Sequence, residues 1–353
     1  MIMITTKKLP HSVGPVTCAL FLIFVFGTLA SAQSVSYHLL KKVPLGAAPG
    51  GGEYFDYLMA DSDARRIYVS HGTEVKVVDA DTGDVVGTIT GLKKCHGIAV
   101  PDASGKGFIT DGEEGKVFVF DVKTLKITGE IKTADDSDSI IYDPASKHIF
   151  AFNGDSRSAS VIDPASATVV KTIDLGGGPE FAAADGQGTV FNNIEDKNEL
   201  VAIDSQTLTI KARWPVAPAG APTALAMDRE HRRLFSAGRK PQMVVMLDAD
   251  SGKVLQSLPI SAGADAAVFE NETGLLFVST REGMVHIFHE DSSTKLSEVQ
   301  TLKTEYGAKT MALDTKTHNL YVSTAEFTEP ASAQPNGRRS PKPGTFHLLI
   351  YGR

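Results

Sequence analysis

The stretch RRIYVSHGTEVKVVDADTGDVVGTI, residues 65–89, contains three short apolar segments separated by two polar turns. The first segment carries an aromatic residue, Tyr68, and the second ends at Asp79. Short apolar runs that alternate with polar residues and are bounded by Gly, Asp, Ser or Thr are typical of strands joined by tight turns. Residues 65–89 therefore predict three consecutive antiparallel strands.

This unit returns along the chain at intervals of 40 to 44 residues. The interval is measured between the aromatic residues in the second strand of each unit: Tyr68, Phe108, Phe150, Phe191, Phe235, Phe277 and Tyr321. A four-stranded unit of this length is the size of a propeller blade, and its two apolar faces are covered only when blades pack around an axis. The sequence predicts an all-β fold, a seven-bladed β-propeller with four antiparallel strands per blade. The repeated aromatic residues are predicted to fill the core between blades.

The two ends of the chain predict how the ring of blades closes. The seventh unit stops at Arg353 after three strands, and residues 36–45 (SYHLLKKVPL) have the pattern of the missing fourth strand. We expect this N-terminal strand to complete the last blade, which leaves no open edge in the array. Residues 33–353 are then one propeller domain.

The last unit also contains a long insertion, residues 325–344, between its second and third strands. The segment is rich in Pro and Ser, and it carries Arg338, Arg339 and Lys342. This composition predicts an extended, poorly ordered loop. Loops between second and third strands lie on the face where propellers usually bind ligands.

The first residues have the features of a targeting segment. Lys7 and Lys8 precede an apolar run of fifteen residues, 16–30, and the small-residue motif Ala30-Ser31-Ala32 follows. The run is short for a membrane span, although an uncleaved anchor is the alternative interpretation. We expect residues 1–32 to be a signal peptide and the mature chain to be a periplasmic or secreted monomer with no membrane span.

Composition excludes several classes of function. The formal charge is −7, and removal of Lys7 and Lys8 leaves −9, which disfavours nucleic acid as a partner. After residue 32 the chain has a single cysteine, Cys95, so no internal disulfide can form. Leu92 stands where a C-x-x-C-H haem motif would need a cysteine. No cofactor motif is evident, and a divalent cation is the only such ligand that we consider.

The first strand of each blade lines the central channel, and its start lies at the channel mouth. Counting five residues back from each first-strand turn gives a predicted ring of Asp56, His96, Asp138, Glu180, Thr223, Asp265 and Lys309. Like charges brought together in this way need a counter-ion, a shared proton or Lys309.

Three interpretations of the ring remain open. It can be a hydrated polar channel. It can bind a small molecule or a protein partner that carries basic groups. It can also hold a divalent cation through its carboxylates, with or without hydrolysis of a lactone-like substrate, in which case His96 with Asp56 or Asp138 could form an acid–base pair.

The residues IYVSHGTEVKVVDADTGDVVGTI resemble the YVTN-type β-propeller repeat of secreted, YncE-like bacterial proteins, in which a Y/F-V strand leads to a V-x-V-I/V-D strand. The run Gly177–Gly178–Pro179–Glu180 is similar to the segment that precedes the first strand of such repeats. The resemblance implies a propeller, and it is compatible with surface proteins, lactonases and subunits of redox enzymes. We expect a binding or scaffold module rather than an enzyme. The alternatives are a lactonase-like or metal-assisted hydrolase, or a partner subunit of a redox enzyme.

Overall fold

The computed structural model describes residues 1–9, 11, 35–50, 53–101, 105–329 and 339–353. The predicted apolar run and cleavage motif of the signal peptide lie outside these residues, as does the centre of the long insertion, residues 330–338. Val35–Arg353 forms one compact unit, separate from Met1–Ser34. In the described part of the chain, no helix has the length and apolar character needed to cross a membrane.

Each sheet of the unit has four antiparallel strands. The first four blades are formed by β2 Phe55–Asp61, β3 Arg66–His71, β4 Glu74–Asp79 and β5 Val85–Thr90; β6 Cys95–Ala99, β7 Lys106–Asp111, β8 Lys116–Asp121 and β9 Ile127–Lys132; β10 Ser137–Asp143, β11 His148–Asn153, β12 Ser158–Asp163 and β13 Thr168–Asp174; and β14 Pro179–Ala184, β15 Thr189–Ile194, β16 Glu199–Asp204 and β17 Thr209–Pro215. A single 3-10 turn, Glu195–Lys197, follows β15 and is the only helix among the described residues.

The remaining blades follow the same order of strands from the channel outward. They are formed by β18 Pro222–Asp228, β19 Arg233–Arg239, β20 Gln242–Asp248 and β21 Val254–Pro259; β22 Ala264–Glu270, β23 Leu275–Thr280, β24 Met284–Ser292 and β25 Lys295–Lys303; and β26 Met311–Asp314, β27 Asn319–Thr324, β28 Phe346–Gly352 and β1 His38–Gly46. The seven-bladed all-β prediction is confirmed.

The ring closes as the sequence predicts. The innermost strands of successive blades contact one another in a complete cycle, which returns from β26 to β2. β1 pairs antiparallel with β28, from His38 opposite Gly352 to Gly46 opposite Phe346. The N-terminal strand therefore completes the seventh blade, and both ends of the propeller are held in one sheet.

The repeated aromatic residues form the core between the blades. All seven, from Tyr68 to Tyr321, are fully buried. They pack with the Val, Ile and Leu residues of neighbouring strands, as in the cluster that joins Tyr68 to Phe120 and Ile109 in blade two. Burial of a large side chain is worth about 2–3 kcal/mol, so this repeated position is a main source of cohesion between blades.

Most third strands end at an aspartate for a local reason. The carboxylate of Asp79 accepts the backbone N–H groups of Asp81 and Thr82, which fixes the turn into β5. In the sixth blade His289 replaces this aspartate, and an imidazole cannot hold the turn in the same way. The third strand of this blade does not end at His289: β24 continues to Ser292 and forms a longer hairpin with β25.

The described base of the long insertion is hydrogen-bonded rather than extended. Phe327 pairs with Pro341 in an antiparallel bridge, and the N–H of Thr328 donates to the carbonyl of Ser340. The N–H of Gly344 donates to the Glu53 carboxylate at 2.6 Å. Glu53 lies close to β2 in the sequence, so this contact ties the base of the insertion to the channel mouth.

Candidate functional site

The predicted ring residues lie at the mouth of the channel. Six of them occupy the second position of the first strand of a blade, and Lys309 lies just before β26. Asp56, His96, Thr223 and Asp265 are buried, and the others are partly exposed. The side chains divide into a connected network of charges and one position, Thr223, outside it.

His96 of blade two joins an acid of blade one to an acid of blade three. Its Nδ1 lies 2.7 Å from Asp56 Oδ2 and 2.9 Å from Asp138 Oδ1. The hydroxyl of Tyr54 lies 2.8 Å from the same nitrogen and donates to Asp56 Oδ2 at 3.0 Å. The imidazole is thus held by two carboxylates and a phenol from the loop before β2.

Two further cations continue the network around the mouth. Lys309 Nζ lies 2.9 Å from Asp56 Oδ1 and 3.3 Å from Asp265 Oδ2. The guanidinium of Arg239 then contacts Asp265 at 2.7 Å and Glu195 at 3.0 Å. Acids and bases therefore alternate from blade three through blades two, one, seven, six and five to blade four.

The charges of the basic groups are set by these neighbours. Burial lowers the pKa of His96, but the carboxylates of Asp138 and Asp56 raise it more, to about 9. Burial likewise opposes ionisation of Lys309, yet Asp265 and Asp56 keep its pKa above the ordinary value. The pKa of Asp56 is well below its usual range, because Lys309 and His96 outweigh the effect of burial. All three groups are therefore ionised at neutral pH.

Among the described residues, the ring of ion pairs is interrupted at one place. It lies between Asp138 of blade three and Glu180 of blade four, where no base links the two acids. Burial raises the pKa of Glu180 well above normal; Arg239 opposes the rise from 4.0 Å, and Asp138 adds to it. Burial also raises the pKa of Asp138, which His96 only partly offsets. We call this place the acidic gap.

Hydrogen bonds between blades fix the backbone under the ring. Thr110 donates its hydroxyl to the carbonyl of Asp138, Ser279 donates to that of Lys309, and Thr310 donates to that of Asp56. Each bond reaches from one blade to the ring residue of the next. Side chains at the mouth therefore extend from a backbone that neighbouring blades hold in place.

An aromatic pair lies within the ring. The rings of Tyr57 and Phe181 are 4.6 Å apart between centroids, at an interplanar angle of 36°. These residues belong to blades one and four, which are not neighbours, so the contact crosses the channel. Burial raises the pKa of Tyr57, and Asp138 and Asp56 add to the effect. The hydrated channel that the sequence suggested is narrowed here by two aromatic side chains.

The sequence prediction missed part of the network. Thr223 is buried and donates its hydroxyl to the carbonyl of Ala221, so it adds no charge to the mouth. Its blade contributes Arg239 instead, and blade four contributes Glu195. Both lie four residues after the second-strand aromatic, where the first blades have Gly72 and Gly112. This repeat position is glycine in blades one to three, whereas blade six has Arg281 and blade seven has Ala325. A charged residue where three blades have glycine was the available signal.

Asp56, His96 and Asp138 also form a group whose ligand atoms could hold a metal ion. The fit is poor in two respects. The Nδ1 of His96 already lies 2.8 Å from the Tyr54 hydroxyl as well as between two carboxylates, which leaves little room for an ion at this nitrogen. Lys309 already occupies one oxygen of Asp56 at 2.9 Å. The electrostatics of the group therefore favour an imidazolium between two carboxylates.

A separate cavity lies at the base of the long insertion. Its volume is about 280 Å³, and its lining residues are Glu305, Tyr306, Ala325, Glu326, Phe327, Arg339 and Lys342. The guanidinium of Arg339 lies 4.7 Å from the centre of the Tyr306 ring. The lining mixes charges of both signs, so the cavity shows no preference for one class of ligand.

Comparisons with known proteins support the fold and leave the chemistry open. A family model described as "Domain of unknown function (DUF5074)" matches residues 77–217, which run from β4 to the end of blade four. No curated protein matches the sequence. Among solved structures, Kuenenia stuttgartiensis hydrazine synthase is similar, with a TM-score of 0.67 and 16% identity over 78% of this chain and 93% of that chain. At this identity the likeness shows the fold alone.

Proposed function

We propose that this protein is a binding module whose channel mouth takes an ammonium group, either of a small organic amine or of a lysine side chain on a partner protein. The acidic gap between Asp138 and Glu180 is the observation that carries the proposal. Five carboxyl groups of the network face three cationic groups, so the fully ionised network has an excess of two negative charges. A bound cation removes the cost of ionising both acids of the gap.

The aromatic pair adds a second reason to expect a cation. Tyr57 and Phe181 are both partly exposed. A cation above the face of an aromatic ring gains about 0.5–2 kcal/mol, depending on how far it is desolvated. Carboxylates accept the N–H groups of a primary ammonium, and the rings contact its alkyl chain. Together they favour an amine over a bare metal ion.

The alternatives have less support. A metal-assisted hydrolase would need His96 as a neutral base, and its raised pKa opposes that role. The similarity in fold to hydrazine synthase agrees with a redox-partner role. This support is weak, because one fold can host many functions. We therefore infer binding rather than catalysis.

We also infer that the protein is exported and works as a monomer. Lys7, Lys8, the apolar residues 16–30 and the Ala30-Ser31-Ala32 motif support export. The YVTN-type pattern of residues 67–89 supports the same inference, because such repeats occur in secreted bacterial propellers. An exported binding module with an acidic mouth would meet its amine outside the cytoplasm.

Calorimetric titration with 1,4-diaminobutane tests the proposal. We expect binding at pH 7.5 that 1,4-butanediol, its neutral analogue, does not reproduce. Glu180→Gln and Asp138→Asn each remove one charge of the acidic gap and should weaken binding roughly tenfold or more, because hydrogen bonds to charged groups are worth about 1.5–3 kcal/mol. A parallel titration with a lysine-rich peptide distinguishes a protein partner from a small amine.

The matched control is Glu113→Gln, which removes an exposed acid from the turn after β7 on the same face. This variant should bind like the wild type. Equal weakening of binding in Glu113→Gln would mean that only the net charge of the protein matters. If neither the diamine nor the peptide binds, the proposal is contradicted.

A further inference from the structure

A second cluster of metal-ligating side chains lies on the face of the propeller opposite the mouth. β18 begins near the mouth at Pro222 and ends on the far face at Asp228. Asp228, His231 of the following turn and Glu290 of β24 place one ligand atom each within 4.8 Å of the others. The cluster therefore joins blade five to blade six and shares no residue with the mouth.

The repeat shows which partner Asp228 lacks. In three other blades, the residue three places before the repeated aromatic is a base that pairs with the acid at the end of the first strand of the preceding blade. These pairs are Arg65 with Asp314 at 2.7 Å, Arg232 with Asp185 at 3.3 Å and His318 with Glu270 at 2.6 Å. In blade six the corresponding residue is Gly274, and blades two and four also have glycine there. Asp228 thus receives no base from blade six, and it meets the acid Glu290 instead.

Glu290 is the feature that points to a ligand. Both of its carboxyl oxygens are buried, and neither has a hydrogen-bond partner among the described residues. Two ionised carboxylates this close repel each other, and a shared proton or a cation between Glu290 and Asp228 relieves the repulsion.

The other two members are positioned to share a ligand. Asp228 has only 1% of its surface exposed and accepts the N–H groups of Glu230 and His231, which fix its carboxylate. The Nδ1 of His231 lies 2.6 Å from Asp228 Oδ2, and 56% of the His231 side chain is exposed. An exposed imidazole above two buried carboxylates gives an ion a path from solvent to the cluster.

We propose that Asp228, His231 and Glu290 bind a divalent transition-metal ion of the Zn²⁺ type between blades five and six. One imidazole and two carboxylates are three protein ligands that suit Zn²⁺, with a fourth position open to water. Ca²⁺ and Mg²⁺ prefer sets made of oxygen alone. The ion takes the place of the base that other blades supply and links two blades through their turns.

Calorimetric titration of the EDTA-treated, dialysed protein with ZnCl₂ at pH 7.5 tests this site. We expect one Zn²⁺ per chain, a rise in melting temperature on binding and much weaker binding of CaCl₂. Glu290→Gln keeps the shape of the side chain, and it should weaken Zn²⁺ binding at least about tenfold and abolish the thermal shift.

Two controls make the result specific. Glu272→Gln removes an exposed acid of the neighbouring turn in blade six and should bind Zn²⁺ like the wild type. Without metal, Glu290→Gln should melt at or above the wild-type temperature, because it removes a like-charge contact. The proposal is overturned if the wild type does not bind Zn²⁺, if Glu290→Gln binds like the wild type, or if binding is lost in Asp138→Asn at the mouth instead.

Discussion

At the scale of single residues, the charge of the mouth depends on His96, a residue that can be neutral or positive near neutral pH. It contacts Asp56 and Asp138 from the same nitrogen, and it is 4% exposed. A histidine at the start of a strand is ordinary in a sequence, so its position could be predicted but its charge could not. The charge depends on the distances of two carboxylates from other blades, which the sequence does not specify.

The stability of the protein should therefore depend on pH through His96. A group whose pKa rises on folding stabilises the protein fully below its unfolded pKa, and this contribution is lost as the pH rises through the folded pKa. For His96 these values are 6.5 and about 9. We expect the free energy of unfolding of the wild type to fall by about 3 kcal/mol over this range relative to His96→Gln.

Denaturant unfolding of both proteins at several pH values between 6 and 9.5 measures this difference. His289→Gln is the control, because 43% of its side chain is exposed and it lies away from the mouth. This control should follow the wild type. Parallel pH curves for the wild type and His96→Gln would contradict an imidazolium at the mouth.

At the level of strands, the repeat made most of the fold predictable. The spacing from Tyr68 to Tyr321 specified the number of blades because each aromatic must reach the same core position. The length of β24 was not predictable from spacing. It depends on the turn after the third strand, where His289 replaces the aspartate that fixes this turn in other blades. The ring prediction considered only the starts of first strands. It therefore missed Arg239 and Glu195, which reach the mouth from the end of a second strand.

Closure by β1 leads to a prediction at this level. Tyr37, just before β1, is 2% exposed; its ring contacts Phe277 edge-on at 5.2 Å, and its hydroxyl donates to the carbonyl of His318 at 2.9 Å. Tyr37→Ala should lower the free energy of unfolding by about 3–5 kcal/mol, as for other buried aromatic residues replaced by alanine. Leu39→Ala on the neighbouring exposed position (48%) should change it by less than about 0.5 kcal/mol.

Thermal or denaturant unfolding measures both variants. If Tyr37→Ala is no less stable than Leu39→Ala, the N-terminal strand does not hold the ring closed. A loss of stability in Tyr37→Ala but not in Leu39→Ala would show that the seventh blade depends on its N-terminal strand.

At the level of the whole molecule, the propeller brings side chains from all seven blades to one small area. Each blade contributes one or two residues. Their charges pair around the mouth except at the acidic gap between blades three and four. Blade packing predicts that the ring residues converge. The sign and position of the excess charge depend on which acids form ion pairs with bases. Lys309 and Arg239 neutralise one side of the mouth, so the amine proposal concerns the other side.

Proton release on binding tests the central claim most directly. Because the pKa values of Glu180 and Asp138 are raised in the free protein, a bound ammonium group should lower them and expel protons. Calorimetry of 1,4-diaminobutane binding near pH 6.5, in two buffers with different ionisation enthalpies, counts these protons. We predict net release that decreases in Glu180→Gln. Binding without proton release, or equal release in Glu180→Gln, would contradict an ammonium site at the acidic gap.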